Sequence, residues 1–196
     1  MPRHVNLTRM IACFALFAGA ALLCSEAGFA AADSPKPPAV GDEAPGLELK
    51  SVAGDTIKLE EFTKDSPVVL LVLRGYPGYQ CPLCTKQVGR FLAAASKLKD
   101  AGAQVVMVYP GPAAELAERA KEFKKDWTLP THFHLVLDPD YTFTNAWHLR
   151  WDEPMETAYP SAFVIGTDGK VRFAKVSMTH GGRVSVDEVL GALEAK

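Results

Sequence analysis

Val68-Val69-Leu70-Leu71-Val72-Leu73-Arg74-Gly75-Tyr76-Pro77-Gly78-Tyr79-Gln80-Cys81-Pro82-Leu83-Cys84 is the stretch that decides the fold. Its apolar, partly β-branched run has the length and composition of a buried strand. Tyr76-Pro77-Gly78 then turns the chain. From Thr85 onward Val88, Phe91, Leu92 and Leu98 recur at helical spacing. The two sulfurs therefore open a helix at the end of a strand. Free N–H groups and the positive end of the helix dipole there favour thiolate over thiol. Residues three apart share a helix face, so Cys81 and Cys84 can approach each other. Pro82 suits the first helical position, where its missing N–H costs nothing. Cys81 is expected to be the exposed attacking sulfur and Cys84 the buried resolving one.

Other readings of the pair compete. A structural disulfide closing so short a loop removes little unfolded-state entropy. Half of a zinc site would need nitrogen ligands, for which His132, His134 and His180 are candidates, but the usual pattern is incomplete. Two inert thiols form the third alternative. No metal and no cofactor is expected.

Outward from this segment, the 196 residues fit one domain plus a leader. Arg3 and Arg9 precede the apolar stretch Met10–Leu23, and Gly28-Phe29-Ala30 offers a small-residue cleavage site. Residues 1–30 are read as a signal peptide, 31–39 as a Pro-rich linker and 40–196 as the folded domain. A retained membrane anchor is the alternative; a lipid on Cys24 is disfavoured by the bulky Leu23 before it. Cleavage would remove Cys13 and Cys24 and leave Cys81 and Cys84 alone, with no stable membrane insertion. An exported, periplasmic location is expected, and with it an unidentified thiol reductant. Net charge is −2 for the full chain. Losing Arg3, Arg9 and Glu26 makes it −3, a balance that argues against nucleic acid as a partner.

Periodicity predicts strands at Leu47–Lys50, Thr56–Leu59, Val68–Leu73, Val105–Tyr109, His134–Leu137, Phe163–Ile165 and Val171–Lys175. Helices are predicted at Cys81–Lys99, Pro112–Lys125, Tyr141–His148 and Val186–Glu194. Thr167-Asp168-Gly169-Lys170 reads as a hairpin turn. The class is α/β: a central mixed β-sheet flanked by helices, with the cysteines at the carboxyl end of a central strand. Trp147, His148 and Trp151 read as edge-of-core packing. Lys121, Lys124 and Lys125 read as a solvated helix face.

Three segments carry a resemblance. Val40–Leu49, Leu73–Cys84 and Tyr159–Gly169 together resemble the alkyl hydroperoxide reductase C/thiol-specific antioxidant (redoxin, peroxiredoxin-like) family of the thioredoxin-like superfamily. The resemblance covers roughly residues 40 to 194. It implies a thioredoxin-like fold and an antioxidant thiol–disulfide oxidoreductase with Cys81 and Cys84 as catalytic residues. It also implies a cis-proline at Pro160 that, with Tyr159, shapes the groove for a protein disulfide or peroxide substrate. The chain departs from the family pattern in several places. Gly78 stands where peroxiredoxins carry Thr, and no arginine lies in the Pro160 segment. Arg74 and Arg150 are positional substitutes that read as surface or loop charges. Gln80 and Pro82-Leu83 replace thioredoxin's Trp and Gly-Pro, and Gly75 stands near where a buried acid would be. Thiol peroxidase action on the same cysteines is the alternative activity. A copper-binding metallochaperone is the alternative of another class, although Thr157-Ala158-Tyr159 lacks the histidine such proteins use.

Overall fold

The computed structural model describes residues 36–195. The leader read at 1–30 and the linker up to residue 35 lie outside the described residues. The strands are β1 (Glu48–Ser51), β2 (Thr56–Lys58), β3 (Val68–Val72), β4 (Gln104–Gly111), β5 (Phe133–Pro139), β6 (Ser161–Ile165) and β7 (Val171–Val176). The helices are α1 (Leu59–Thr63), α2 (Pro82–Ala93), α3 (Ala95–Asp100), α4 (Ala113–Lys124), α5 (Thr142–Ala146) and α6 (Val186–Glu194).

The strands form one mixed sheet in the order β2-β1-β5-β4-β3-β6-β7. β3 runs parallel to β4 and antiparallel to β6, with Val72 opposite both Val108 and Ser161. All five β3 residues are buried, as the uninterrupted apolar run requires of a strand covered on both faces. Alternate residues supply two cores. Val69, Leu71 and Leu73 pack with Cys84, Val88 and Phe91 of α2. Val68, Leu70 and Val72 pack with Phe143, Trp147 and Phe163 on the other face. Each such side chain taken out of water contributes roughly 1.5–3 kcal/mol.

The 81–99 helix is two helices rather than one. The Ala94 amide is shared between the Arg90 and Phe91 carbonyls, which tightens the turn. In a run of three alanines no side chain marks the break. Residue 59, assigned to a strand by pattern, instead starts α1, whose five residues are too few to show a period. The Thr167–Lys170 turn forms as expected, with the Gly166 amide donating to the Lys170 carbonyl. Trp147 is core, Trp151 is partly buried and His148 is exposed, so the three do not form one cluster.

Beyond β3 the chain is steered by Gly75, whose φ is +65°. The Tyr76 amide donates to the Pro110 carbonyl at 3.2 Å, and a Cβ on residue 75 would collide with that same oxygen. Gly75→Ala is therefore expected to cost about 3 kcal/mol or more, from a wrong-handed φ combined with a backbone clash. Urea denaturation of the purified variant measures it; an unchanged midpoint would show that the loop simply shifts.

Candidate functional site

Cys81 is the N-cap of α2 and Pro82 occupies N1. The Cys81 carbonyl accepts from the Thr85 amide at 3.1 Å, so the thiol side chain stands beside the open end of the helix. Cys84 lies one turn in, fully buried, and its Sγ accepts from the Arg74 amide at 3.3 Å. Both cysteines are free thiols. Cys84 is buried as its position predicted. Cys81 is not the exposed sulfur expected from the sequence: the residue keeps only 3% of its exposure. Two groups enclose it. Gln80 is clamped to α4, donating to the Arg119 carbonyl at 2.8 Å and accepting from the Tyr109 hydroxyl at 2.8 Å. From the other side comes Arg183.

Sequence reasoning missed Arg183. It lies in the loop after β7, and its guanidinium donates to Gln87 Oε1 at 2.9 Å and to Cys81 Sγ at 3.7 Å. Its Nε donates to the His180 carbonyl at 3.2 Å. The topology holds the signal that would have found it. β7 and β3 are each antiparallel to β6, so the loops following them leave the sheet at the same end.

The two thiols titrate in opposite directions. The Cys81 pKa is lowered to about 5, chiefly by the hydrogen bond with Cys84, against the effect of burial. The Cys84 and Leu83 amides and the Arg183 charge lower it further. Burial pushes Cys84 well above the ordinary thiol range, and the neighbouring Cys81 sulfur raises it further. One sulfur is thus poised as a thiolate and the other as its proton-bearing partner.

Arg74 is not the surface charge the sequence suggested. Its side chain is 3% exposed, and Nε meets Glu156 at 2.5 Å. It also donates to the Tyr79 hydroxyl at 2.5 Å and to the Met155 carbonyl at 2.6 Å. The Thr157 hydroxyl donates to its carbonyl. The second oxygen of Glu156 meets His180 Nε2 at 2.7 Å. Burial works against the charge on Glu156, but Arg74 and His180 prevail and hold its carboxyl below the usual range. Arg150 binds the carbonyls of Trp151, Glu156 and Thr157, so it braces the same loop and does not reach the sulfurs.

Pro160 is buried at the start of β6, and its carbonyl accepts from the Ser177 amide at 2.9 Å. Tyr159 stacks on Trp151 with centroids 4.8 Å apart, and Trp151 in turn touches His180. Because Ser161 pairs with Val72, both residues sit beside the end of β3, next to Arg74. His132 bonds the Ala95 carbonyl, and His134 bonds Gln104 while stacking on Phe62. Among the described residues no group of three or more His, Cys, Asp or Glu gathers around one point.

A mixed sheet with a dithiol at the helix N-terminus after a central parallel strand is the architecture of thioredoxin-like redox proteins. The chain belongs within that class to the AhpC/TSA family, whose profile matches residues 40–174. It is similar to peroxiredoxin Q, chloroplastic, of Oryza sativa subsp. japonica, at 32% identity over 68% of this chain and 57% of that one. It thus spans little more than half the length of that relative. Peroxiredoxin Q, chloroplastic, of Sedum lineare is 35% identical over 79% of this chain and 77% of its own. The crystal structure of peroxidoxin BcpB from Mycobacterium tuberculosis superposes with a TM-score of 0.62 at 25% identity. That match covers 81% of this chain and 97% of the other.

Proposed function

We propose that this protein is an exported, antioxidant thiol peroxidase that cycles through a Cys81–Cys84 disulfide. The observation that carries the reading is Cys81 at the helix N-cap, hydrogen-bonded by Cys84 and by Arg183, with its pKa lowered to about 5. Such a sulfur is an anion at neutral pH without any metal or cofactor. The thiolate attacks the terminal oxygen of a hydroperoxide; the S–O bond forms, the O–O bond breaks, and the leaving alkoxide or hydroxide takes a proton. The Cys84 sulfur then attacks the Cys81 sulfenic acid, releasing water and forming the disulfide. A thiol reductant returns both sulfurs to the reduced state by exchange.

The enclosure of Cys81 favours a small peroxide over a folded protein's disulfide as oxidant. Disulfide reduction on a protein is the second reading; the exposed Tyr79, Leu83 and Met155 around the site supply apolar contact for a protein thiol. Tyr159 and Pro160 would shape the side of the groove next to β3. A guanidinium 3.7 Å from the Cys81 sulfur opposes a bound cation there, so the copper-chaperone alternative is not favoured. The peroxidase resemblance of the relatives and the leader read at 1–30 support export of an antioxidant enzyme.

Stopped-flow oxidation of the reduced protein by hydrogen peroxide tests the assignment. The rate should far exceed that of a free thiol. Below about pH 5 it should fall tenfold per pH unit, and it should be flat above that, because the thiolate is the nucleophile. A free-thiol rate combined with rapid exchange against protein disulfides would select the second reading. Arg183→Gln is expected to raise the Cys81 pKa and slow oxidation by roughly 5- to 20-fold, the scale of one charge-assisted contact. The thiolate absorbance titration must shift with it; an unmoved titration would remove Arg183 from this role.

A further inference from the structure

Six arginines lie among the described residues. Arg74, Arg119, Arg150 and Arg172 each meet a carboxylate. The remaining two, Arg90 and Arg183, form no ion pair, and both line one cavity of about 560 Å³ between α2 and the loop after β7. Lys86, also without an ion pair, lines it one turn before Arg90. Leu83, Phe91, Val184 and Val186 give the cavity an apolar wall. Asp187 is the single carboxylate in the lining. The other nearby acids are committed elsewhere: Glu188 to Ser185 and Lys175, and Glu156 to Arg74 and His180. The Arg183 guanidinium separates this cavity from the reacting sulfur, with one nitrogen on Gln87 in the cavity wall and the other on Cys81.

Unneutralised cations beside an apolar wall, in a volume typical of small-molecule sites, match an amphipathic anion. We infer that the cavity is a specificity subsite for organic hydroperoxides that carry a carboxylate; this rests on the peroxidase reading above. The carboxylate sits on Lys86 and Arg90, the carbon chain lies along Leu83 and Phe91, and the hydroperoxide passes Arg183 to Cys81. The thiolate takes the terminal oxygen to become the sulfenic acid, and the hydroxy acid leaves after accepting one proton. A carboxylated thiol reductant fits less well. It would have to attack Cys81 and expel Cys84, the poorer leaving group of the two because its thiol is the weaker acid.

The test compares three oxidants on the reduced protein by stopped flow: hydrogen peroxide, a linear six-carbon hydroperoxy acid and its methyl ester. The acid should react about tenfold faster than the ester at low salt, an advantage that fades as salt is added. Lys86→Gln/Arg90→Gln should bring the acid-to-ester ratio near one. Lys86→Glu/Arg90→Glu should take it below one. Both positions are exposed on α2, and a thermal melt confirms that the variants fold. Equal rates for acid and ester in the unmodified protein, or a ratio that survives charge reversal, would overturn the subsite while leaving the peroxidase intact. Slow reaction with all three oxidants would instead overturn the peroxidase reading, and the subsite with it.

Discussion

Cys81→Ser is expected to reduce peroxide consumption to background, a loss of roughly a thousandfold or more, because the thiolate is the nucleophile and a serine hydroxyl at this position stays protonated. Cys84→Ser is expected to behave differently. It leaves a nucleophile that is oxidised once, stops turnover at the sulfenic acid and yields a species that a sulfenic-acid trap labels. The first oxidation should be retained, because a serine hydroxyl can donate the same hydrogen bond to the Cys81 sulfur. Mass spectrometry after one equivalent of peroxide separates the two variants. An active Cys81→Ser, or a Cys84→Ser protein that turns over as fast as the parent, would sink the dithiol cycle.

The second large effect concerns stability. Arg74 and Glu156 form an ion pair with side chains 3% and 9% exposed, tied further to Tyr79, the Met155 carbonyl and His180. Arg74→Met strands a buried carboxylate and is expected to cost about 3 kcal/mol. The double variant Arg74→Met/Glu156→Leu should recover much of that loss, since removing both partners leaves no uncompensated charge. Urea denaturation of Arg74→Met, Glu156→Leu and the double variant gives the coupling; simple additivity would mean that the charges act independently. The pH dependence has a definite sign. The Glu156 carboxyl is held below the usual range, so its contribution is complete above the ordinary glutamate pKa and is lost as pH falls through the lowered value. The gap between parent and Arg74→Met should therefore narrow in acid.

Much of this arrangement is legible in the residues. The β3 run, the hairpin at 167–170 and α6 are read correctly because local signals agree with the tertiary outcome. In α6 the Ser185–Glu188 capping box adds its own mark. The cysteine pair is legible for the same reason: strand, turn and Pro at N1 are all local. What escapes is non-local. Arg74 follows an apolar run and precedes Gly75, so it reads as a loop charge; only Glu156, 82 residues away, makes its burial tolerable. The enclosure of Cys81 depends on Gln80 reaching α4 and on Arg183 arriving from the loop after β7. Neither contact leaves a periodic trace.

Arg183 stands 102 residues from Cys81 along the chain and meets it only when β6 and β7 have joined β3. Until then the Cys81 sulfur lacks the Arg183 charge and keeps only the lowering supplied by the Cys84 hydrogen bond and the Leu83 and Cys84 amides. The strands that close this side of the sheet therefore add a charge to an activation that the first cysteine already draws from its own helix. The full reactivity of Cys81 is in this sense a report that the sheet is complete.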